Sequence, residues 1–266
     1  MGKLFAVLLT IITAVSMYIF LSRTWWLPHD ISVLGHGIDH QLMETLVESG
    51  ILFVAAQLVL AAFVWRFGGD GDGRAIKTFP GGAIPMVVIA TLLVGGEVLA
   101  LTLVGTKVWS SIYQAPPDPN ALRIDVLAEQ FAFYFRYSGA DGRFGTIHPE
   151  LIDEGNGNIY GLDPANDTTA RDDIVSASLV VPVNHPILLS MHAKDVGHAF
   201  YVPALRIQQD FVPGLLIPLQ FTATQPAKEE IVCTQLCGLG HYNMRGYLEV
   251  MPQEEFDQWL ADQASN

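Results

Sequence analysis

Twelve consecutive residues carry the ligand types of a redox-active metal site: Cys233-Thr234-Gln235-Leu236-Cys237-Gly238-Leu239-Gly240-His241-Tyr242-Asn243-Met244. Both cysteines of the 266-residue chain lie here, followed by a histidine and a methionine. Thiolate, imidazole and a weak axial thioether are the donor set of copper electron-transfer sites. One cysteine suffices for a single copper ion. A second, four residues on, allows two thiolates to bridge two copper ions, each then needing its own imidazole. A disulfide or redox pair and a zinc half-site stay open on the cysteine spacing alone, but the downstream His241 and Met244 favour a softer metal.

The second imidazole has to come from elsewhere in the chain. The best placed is His198, in Asp195-Val196-Gly197-His198-Ala199-Phe200-Tyr201-Val202-Pro203. Asp195, three residues earlier, is placed to orient that ligand, to receive a lysine of a donor, or simply to form a turn. With Gln208-Gln209-Asp210-Phe211-Val212-Pro213-Gly214 between them, the two segments resemble subunit II of the haem–copper cytochrome c oxidases. The resemblance runs from about residue 47 to the C-terminus.

That resemblance implies a dinuclear CuA centre. Cys233 and Cys237 match its bridging thiolates, His198 and His241 its terminal imidazoles, and Met244 its weak axial sulfur. Gln235 matches the residue that supplies a backbone carbonyl. The implied function is to accept electrons from a c-type cytochrome and pass them to haem in subunit I, where oxygen is reduced. The implied partners are subunit I, other oxidase subunits and the membrane. The implied location is the bacterial inner membrane, with the C-terminal domain on the periplasmic side.

Two residues depart from the family pattern. A tryptophan commonly follows Gln130 as the receiving ring, whereas this chain has Phe131, with Phe133 close behind. These two rings are the candidates for electron uptake. Gln235 stands where a glutamate is frequent and helps hold a magnesium ion at the subunit I boundary; its amide oxygen still offers a ligand for magnesium there, but without charge. His192 competes with His198 as a ligand, but the spacing of Asp195 to His198 to Phe200 favours His198. His29, His36 and His40 are read as solvated residues of a first external loop, and His148 and His185 as loop residues beside prolines.

Three other readings compete. A quinol oxidase subunit keeps the fold but loses the ligands. A membrane-anchored copper chaperone has no need of His241 and Met244 at these spacings. Nitrous oxide reductase joins a similar copper domain to a propeller too large for this chain.

The elements that must position these residues divide the chain. Half of all residues are apolar, concentrated in the first hundred. Apolar runs at 4–22, 47–66 and 83–104 are long enough to span a bilayer, and the first is uncharged. The first reads as a retained helix, with a cleaved signal as its rival. Pro80, Gly81 and Gly82 mark the start of the third, and Pro85 falls in its first turn, where proline is tolerated. Arg66, Arg74 and Lys77 place the connection between the second and third in the cytoplasm, and the chain beyond residue 105 outside. Glu97 is an intramembrane carboxylate and so a functional candidate. Alignment of Pro85 with the family's proton-path motif puts Thr78 and Gly81 at its key positions, and neither matches.

The predicted organisation is a membrane anchor over 1–105, a linker over 106–120 and a cupredoxin-like domain over 121–266. The expected fold is membrane-anchored all-β: transmembrane helices, then an antiparallel Greek-key β-barrel or sandwich. Ile124, Val126, Phe131, Phe133, Phe135 and Tyr137 alternate with period two. Further strand-like runs fall at 174–183, 186–192, 217–223, 230–233 and 247–251, separated by turn residues. Residues 145–173 read as a long polar loop. Phe256, Trp259 and Leu260 predict a short amphipathic terminal helix. The net charge is −13 overall. Residues 106–266 hold 20 acidic and 9 basic side chains. That balance argues against a nucleic-acid partner and fits either a basic protein donor or a plain solvated acidic surface.

Overall fold

The computed structural model describes residues 1–24, 26–68 and 83–264. It divides into two compact units, Met1–Leu27 with Gly37–Tyr113, and Pro28–His36 with Gln114–Asn266.

The first unit holds α1 (Gly2–Leu21), α2 (Val33–Phe67) from Gly37 onward and α3 (Ile84–Tyr113). Each carries a membrane-length apolar stretch and leaves most of that surface uncovered, the pattern of a helix that meets lipid. The 20 residues of α1 reach about 30 Å, one hydrocarbon core. Several hydroxyls in these spans are satisfied by their own helix. The hydroxyls of Thr10, Thr13 and Thr102 donate to the carbonyls of Ala6, Leu9 and Val98.

Two helix bounds differ from the sequence expectation. α2 begins at Val33, well ahead of the apolar run at 47. Asp30 Oδ1 accepts from Ser32 N at 2.9 Å, and Ser32 Oγ accepts from Gly35 N at 2.8 Å, so capping starts the helix in a polar stretch. His36 and His40 therefore lie on α2 rather than in a loop, with His40 Nδ1 3.6 Å from Glu44 Oε1. α3 continues through Trp109 to Tyr113 and takes the first half of the expected linker; Pro116 and Pro117 bar further helix. The connection with Arg74, Lys77, Thr78, Pro80, Gly81 and Gly82 lies outside the described residues.

The second unit is a sandwich of two five-stranded sheets with strand orders β3-β2-β1-β5-β8 and β4-β10-β9-β6-β7. The strands are β1 (Leu122–Glu129), β2 (Ala132–Tyr137), β3 (Ile174–Ser176), β4 (Ser178–Pro182), β5 (Pro186–Ala193), β6 (His198–Val202), β7 (Ile207–Phe211), β8 (Ile217–Thr222), β9 (Ala227–Val232) and β10 (Arg245–Met251). The pairing is not wholly antiparallel as expected: β1 runs parallel to β5, and β10 parallel to β4. Alternate residues of both sheets fill one core that includes Ile124, Val126, Phe133, Phe135, Leu189, Phe200, Phe211, Ile231 and Leu248. The Tyr137 hydroxyl reaches that core satisfied, donating to Val180 O at 2.9 Å and accepting from Val180 N at 2.7 Å. The terminal helix α4 (Gln253–Ala264) buries Phe256 and sets the Trp259 ring edge-on to Tyr137 at 5.1 Å.

A contributor to this core comes from before α2. Ile31 is 2% exposed and packs inside the sandwich. Its N–H donates to Ala204 O, and its carbonyl accepts from Thr224 N. The loop at 145–173 is likewise tied down. Tyr160 Oη accepts from Leu127 N at 3.1 Å and lies within reach of the carbonyls of Asp125 and Tyr134.

Candidate metal centre

The potential ligands converge at one end of the second sheet. Residues 233–244 connect β9 to β10, and Cys233 N donates to Met244 O at 3.2 Å, closing the neck of the loop. A 3-10 turn at His241–Asn243 folds its far end back. His198 opens the neighbouring strand β6, which the sequence reading did not separate as a strand. β6 pairs with β9 at Tyr201 and Val232, which carries His198 alongside the loop.

The geometry gathers all the sequence candidates. The ligand atoms of His198, Cys233 and Cys237 all lie within 4.8 Å of one another. The two thiol sulfurs are 3.9 Å apart with no disulfide. His241 Nδ1 lies 3.6 Å, and Met244 Sδ 3.7 Å, from Cys237 Sγ. The Gln235 carbonyl is 3.1 Å from Cys233 Sγ, while its side chain is exposed. Cys233, Cys237, Met244 and His198 are all buried.

The histidine tests whether this constellation fits a metal. His198 is fully buried, and its Nε2 lies 2.8 Å from Asp195 Oδ1. Its other nitrogen, Nδ1, is buried with no hydrogen-bond partner. A buried polar atom left unpaired costs free energy unless something else meets it. A carboxylate on one ring nitrogen and a metal on the other is the usual arrangement of a ligating histidine. Burial, and then the neighbouring Cys233, push the Cys237 thiol up to about 11, so a metal entering the loop displaces a proton there. Asp195 is burdened by burial, but hydrogen bonds from His198 and from the backbone N–H groups of Gln130 and Val196 prevail. They hold its carboxyl below the usual range. Two soft thiols, a thioether and two imidazoles suit copper.

The two candidate rings for electron uptake separate. Phe131 sits in the turn between β1 and β2, 40% exposed. Phe133 is 2% exposed, with its ring 5.9 Å from that of Phe211; alternation points it into the core, so it offers no surface to a donor. The Phe131 ring lies against the ligand loop so closely that a Cβ at Gly240 would come within 2.6 Å of it. The glycines of the loop thus admit this ring.

The remaining histidines have other surroundings. His192 Nε2 lies 3.1 Å from Asp125 Oδ1, a close contact without hydrogen-bond alignment. It borders a buried cluster in which Arg136 reaches Asp125 at 2.8 Å and Asp173 at 3.3 Å. His148 lies 3.4 Å from Glu150. One residue with a direct hold on the loop had no role in the sequence reading: Gln130, whose amide donates to the Cys237 carbonyl. Only its place before the receiving ring marked it.

Three membrane-length helices and a cupredoxin-like sandwich with a thiol, imidazole and thioether cluster define a membrane-anchored protein of the copper-domain class. The family model for the periplasmic domain of cytochrome c oxidase subunit II matches residues 160–251. Alternative cytochrome c oxidase subunit 2 of Bradyrhizobium diazoefficiens is 30% identical over 258 residues, covering 96% of this chain and 90% of the relative. Cytochrome c oxidase subunit 2 of Thermostichus vulcanus is 40% identical over 258 residues, covering 88% and 77%. Among solved structures, the periplasmic domain of cytochrome oxidase subunit II of Bradyrhizobium japonicum is similar at 24% identity and a TM-score of 0.42. That likeness covers 56% of this chain and 98% of the other. The chain belongs to the cytochrome c oxidase subunit 2 family, and so to the haem–copper oxidases.

Proposed function

We propose that this chain receives electrons for its oxidase at a dinuclear CuA centre and passes them to haem in subunit I. The observation that carries this reading is the buried His198, grouped with both thiols and with its Nδ1 lacking a hydrogen-bond partner. In the reading, the thiols of Cys233 and Cys237 and the imidazoles of His198 and His241 would hold the two ions, and Met244 and the Gln235 carbonyl would be further donors. Copper supplies a one-electron carrier whose charge change is spread over two ions.

The protein's own part is to hold these donors still. Asp195 fixes the His198 ring so that Nδ1 is left for a metal. The closed neck at Cys233 and Met244 and the 3-10 turn under His241 set the loop's shape before metal arrives, and the apolar core behind excludes water. Phe131, lying on the loop at the surface, is the contact offered to a donor. The donor in this reading is a c-type cytochrome. The helical unit serves as the inner-membrane anchor and the sandwich as the periplasmic copper domain. Gln235, exposed and uncharged, adds no anionic ligand for a magnesium ion, and copper alone belongs to the reading.

The test uses the assembled oxidase. Cys233→Ser and Cys237→Ser should each abolish oxidation of a reduced c-type cytochrome, while a small-molecule reductant that reaches subunit I directly still supports oxygen consumption. Undiminished cytochrome oxidation in both variants would remove the reading.

A further inference from the structure

The turn between β1 and β2 touches both ligand-bearing segments through one residue. The backbone N–H of Gln130 donates to Asp195 Oδ2 at 2.8 Å, and Asp195 Oδ1 holds His198 Nε2 at 2.8 Å. The Gln130 side chain points the other way: its Nε2 donates to the carbonyl of Cys237 at 2.5 Å. These partners are 65 and 107 residues away in sequence, so the contacts join three separate stretches of chain. A Cβ at Gly238 would come within 2.6 Å of Gln130 Nε2. Gly238 itself has φ +137°, where glycine is at home. The loop is thus shaped around this amide.

We propose that Gln130 is a positioning residue of the copper site. It fixes Cys237 by its carbonyl and keeps the Asp195–His198 pair and the Phe131 ring in one register with it. The inference rests on the CuA reading for its metal, but the placement of Cys237 by the amide stands without metal. Side-chain substitution separates the two arms, because the backbone bond to Asp195 survives in any residue except proline. Gln130→Ala removes the donor to Cys237. Gln130→Glu keeps the size but sets a carboxylate oxygen against the Cys237 carbonyl. Gln130 is exposed in the turn, so both variants leave the core intact.

Two readouts on the full chain test this. In the copper-free protein, the alkylation rate of Cys237 relative to Cys233 should rise several-fold in both variants, because the loop is no longer held at Cys237. After copper addition, affinity should fall about 10-fold, the low end for loss of a supporting hydrogen bond at a metal site, and the hyperfine pattern of the copper spectrum should change. An unchanged ratio of cysteine reactivities overturns the proposal, even where thermal stability drops, since a purely structural tie moves stability alone. Failure of the wild type to show a paired-copper spectrum defeats the CuA reading and leaves the alkylation ratio to decide the role of Gln130.

Discussion

Asp195 Oδ1 lies 2.8 Å from His198 Nε2, and the other ring nitrogen, Nδ1, is buried with no hydrogen-bond partner. One carboxylate therefore decides which nitrogen is left for a metal. The same carboxylate accepts from Gln130 N through its second oxygen, so it cannot turn away without breaking another bond.

Asp195→Ala should lower copper affinity about 10–100-fold, the range for loss of a carboxylate that supports a ligating histidine. Equilibrium titration of the copper-free chain against a competing chelator measures it. Affinity equal to wild type would mean that His198 is held by packing alone.

Gly240→Ala should act through Phe131. The added methyl would sit 2.6 Å from the ring, an overpacking that costs about 1–3 kcal/mol. In the double variant with Phe131→Ala the clash is gone, so that cost should largely vanish in a denaturant-unfolding cycle. Additive losses would show that the ring and the loop do not meet.

Arg136 is 4% exposed between Asp125 and Asp173, and its guanidinium also lies over the rings of Phe144 and Tyr160. Arg136→Ala strands two buried carboxylates and should cost about 3–5 kcal/mol. The loss should shrink when Asp173→Asn is added. An Arg136→Ala chain as stable as wild type would contradict the buried pairing.

Burial holds the phenols of Tyr137 and Tyr160 well above their usual range, which is near 10 in an unfolded chain. The sign follows from linkage: a group whose folded pKa is raised keeps its full contribution below about pH 10 and loses it as pH rises further. The contribution of these two phenols to the unfolding free energy should be flat up to about pH 10 and then fall, with a gentler decline in Tyr137→Phe. Tyrosinate absorbance from these two rings should arise only with unfolding. A native state that ionises all its tyrosines near pH 10 would contradict their burial.

Much of this was legible in the sequence. Alternation in Ile124–Tyr137 and in the later runs marked the strands because one face of each sheet is core and the other is not. The ligand types and spacings marked Cys233, Cys237, His241, Met244 and His198, and all five come together. What stayed hidden was non-local. Ile31 is one apolar residue in a polar stretch, and only its pairing with Ala204 and Thr224 makes it core. The first turns of α2 lack apolar periodicity and depend on the Asp30 and Ser32 caps. β6 and β7 are five residues each, too short for alternation to separate from the ligand motif beside them. The hold of Gln130 on Cys237 crosses 107 residues, beyond any local pattern.

The most direct test of the central claim is electron paramagnetic resonance of the purified full-length chain, copper-loaded in detergent. The CuA reading expects a hyperfine pattern from one electron shared equally between two coppers, lost in Cys233→Ser and in Cys237→Ser. A single-copper pattern, or no bound copper in the wild-type chain, would contradict it.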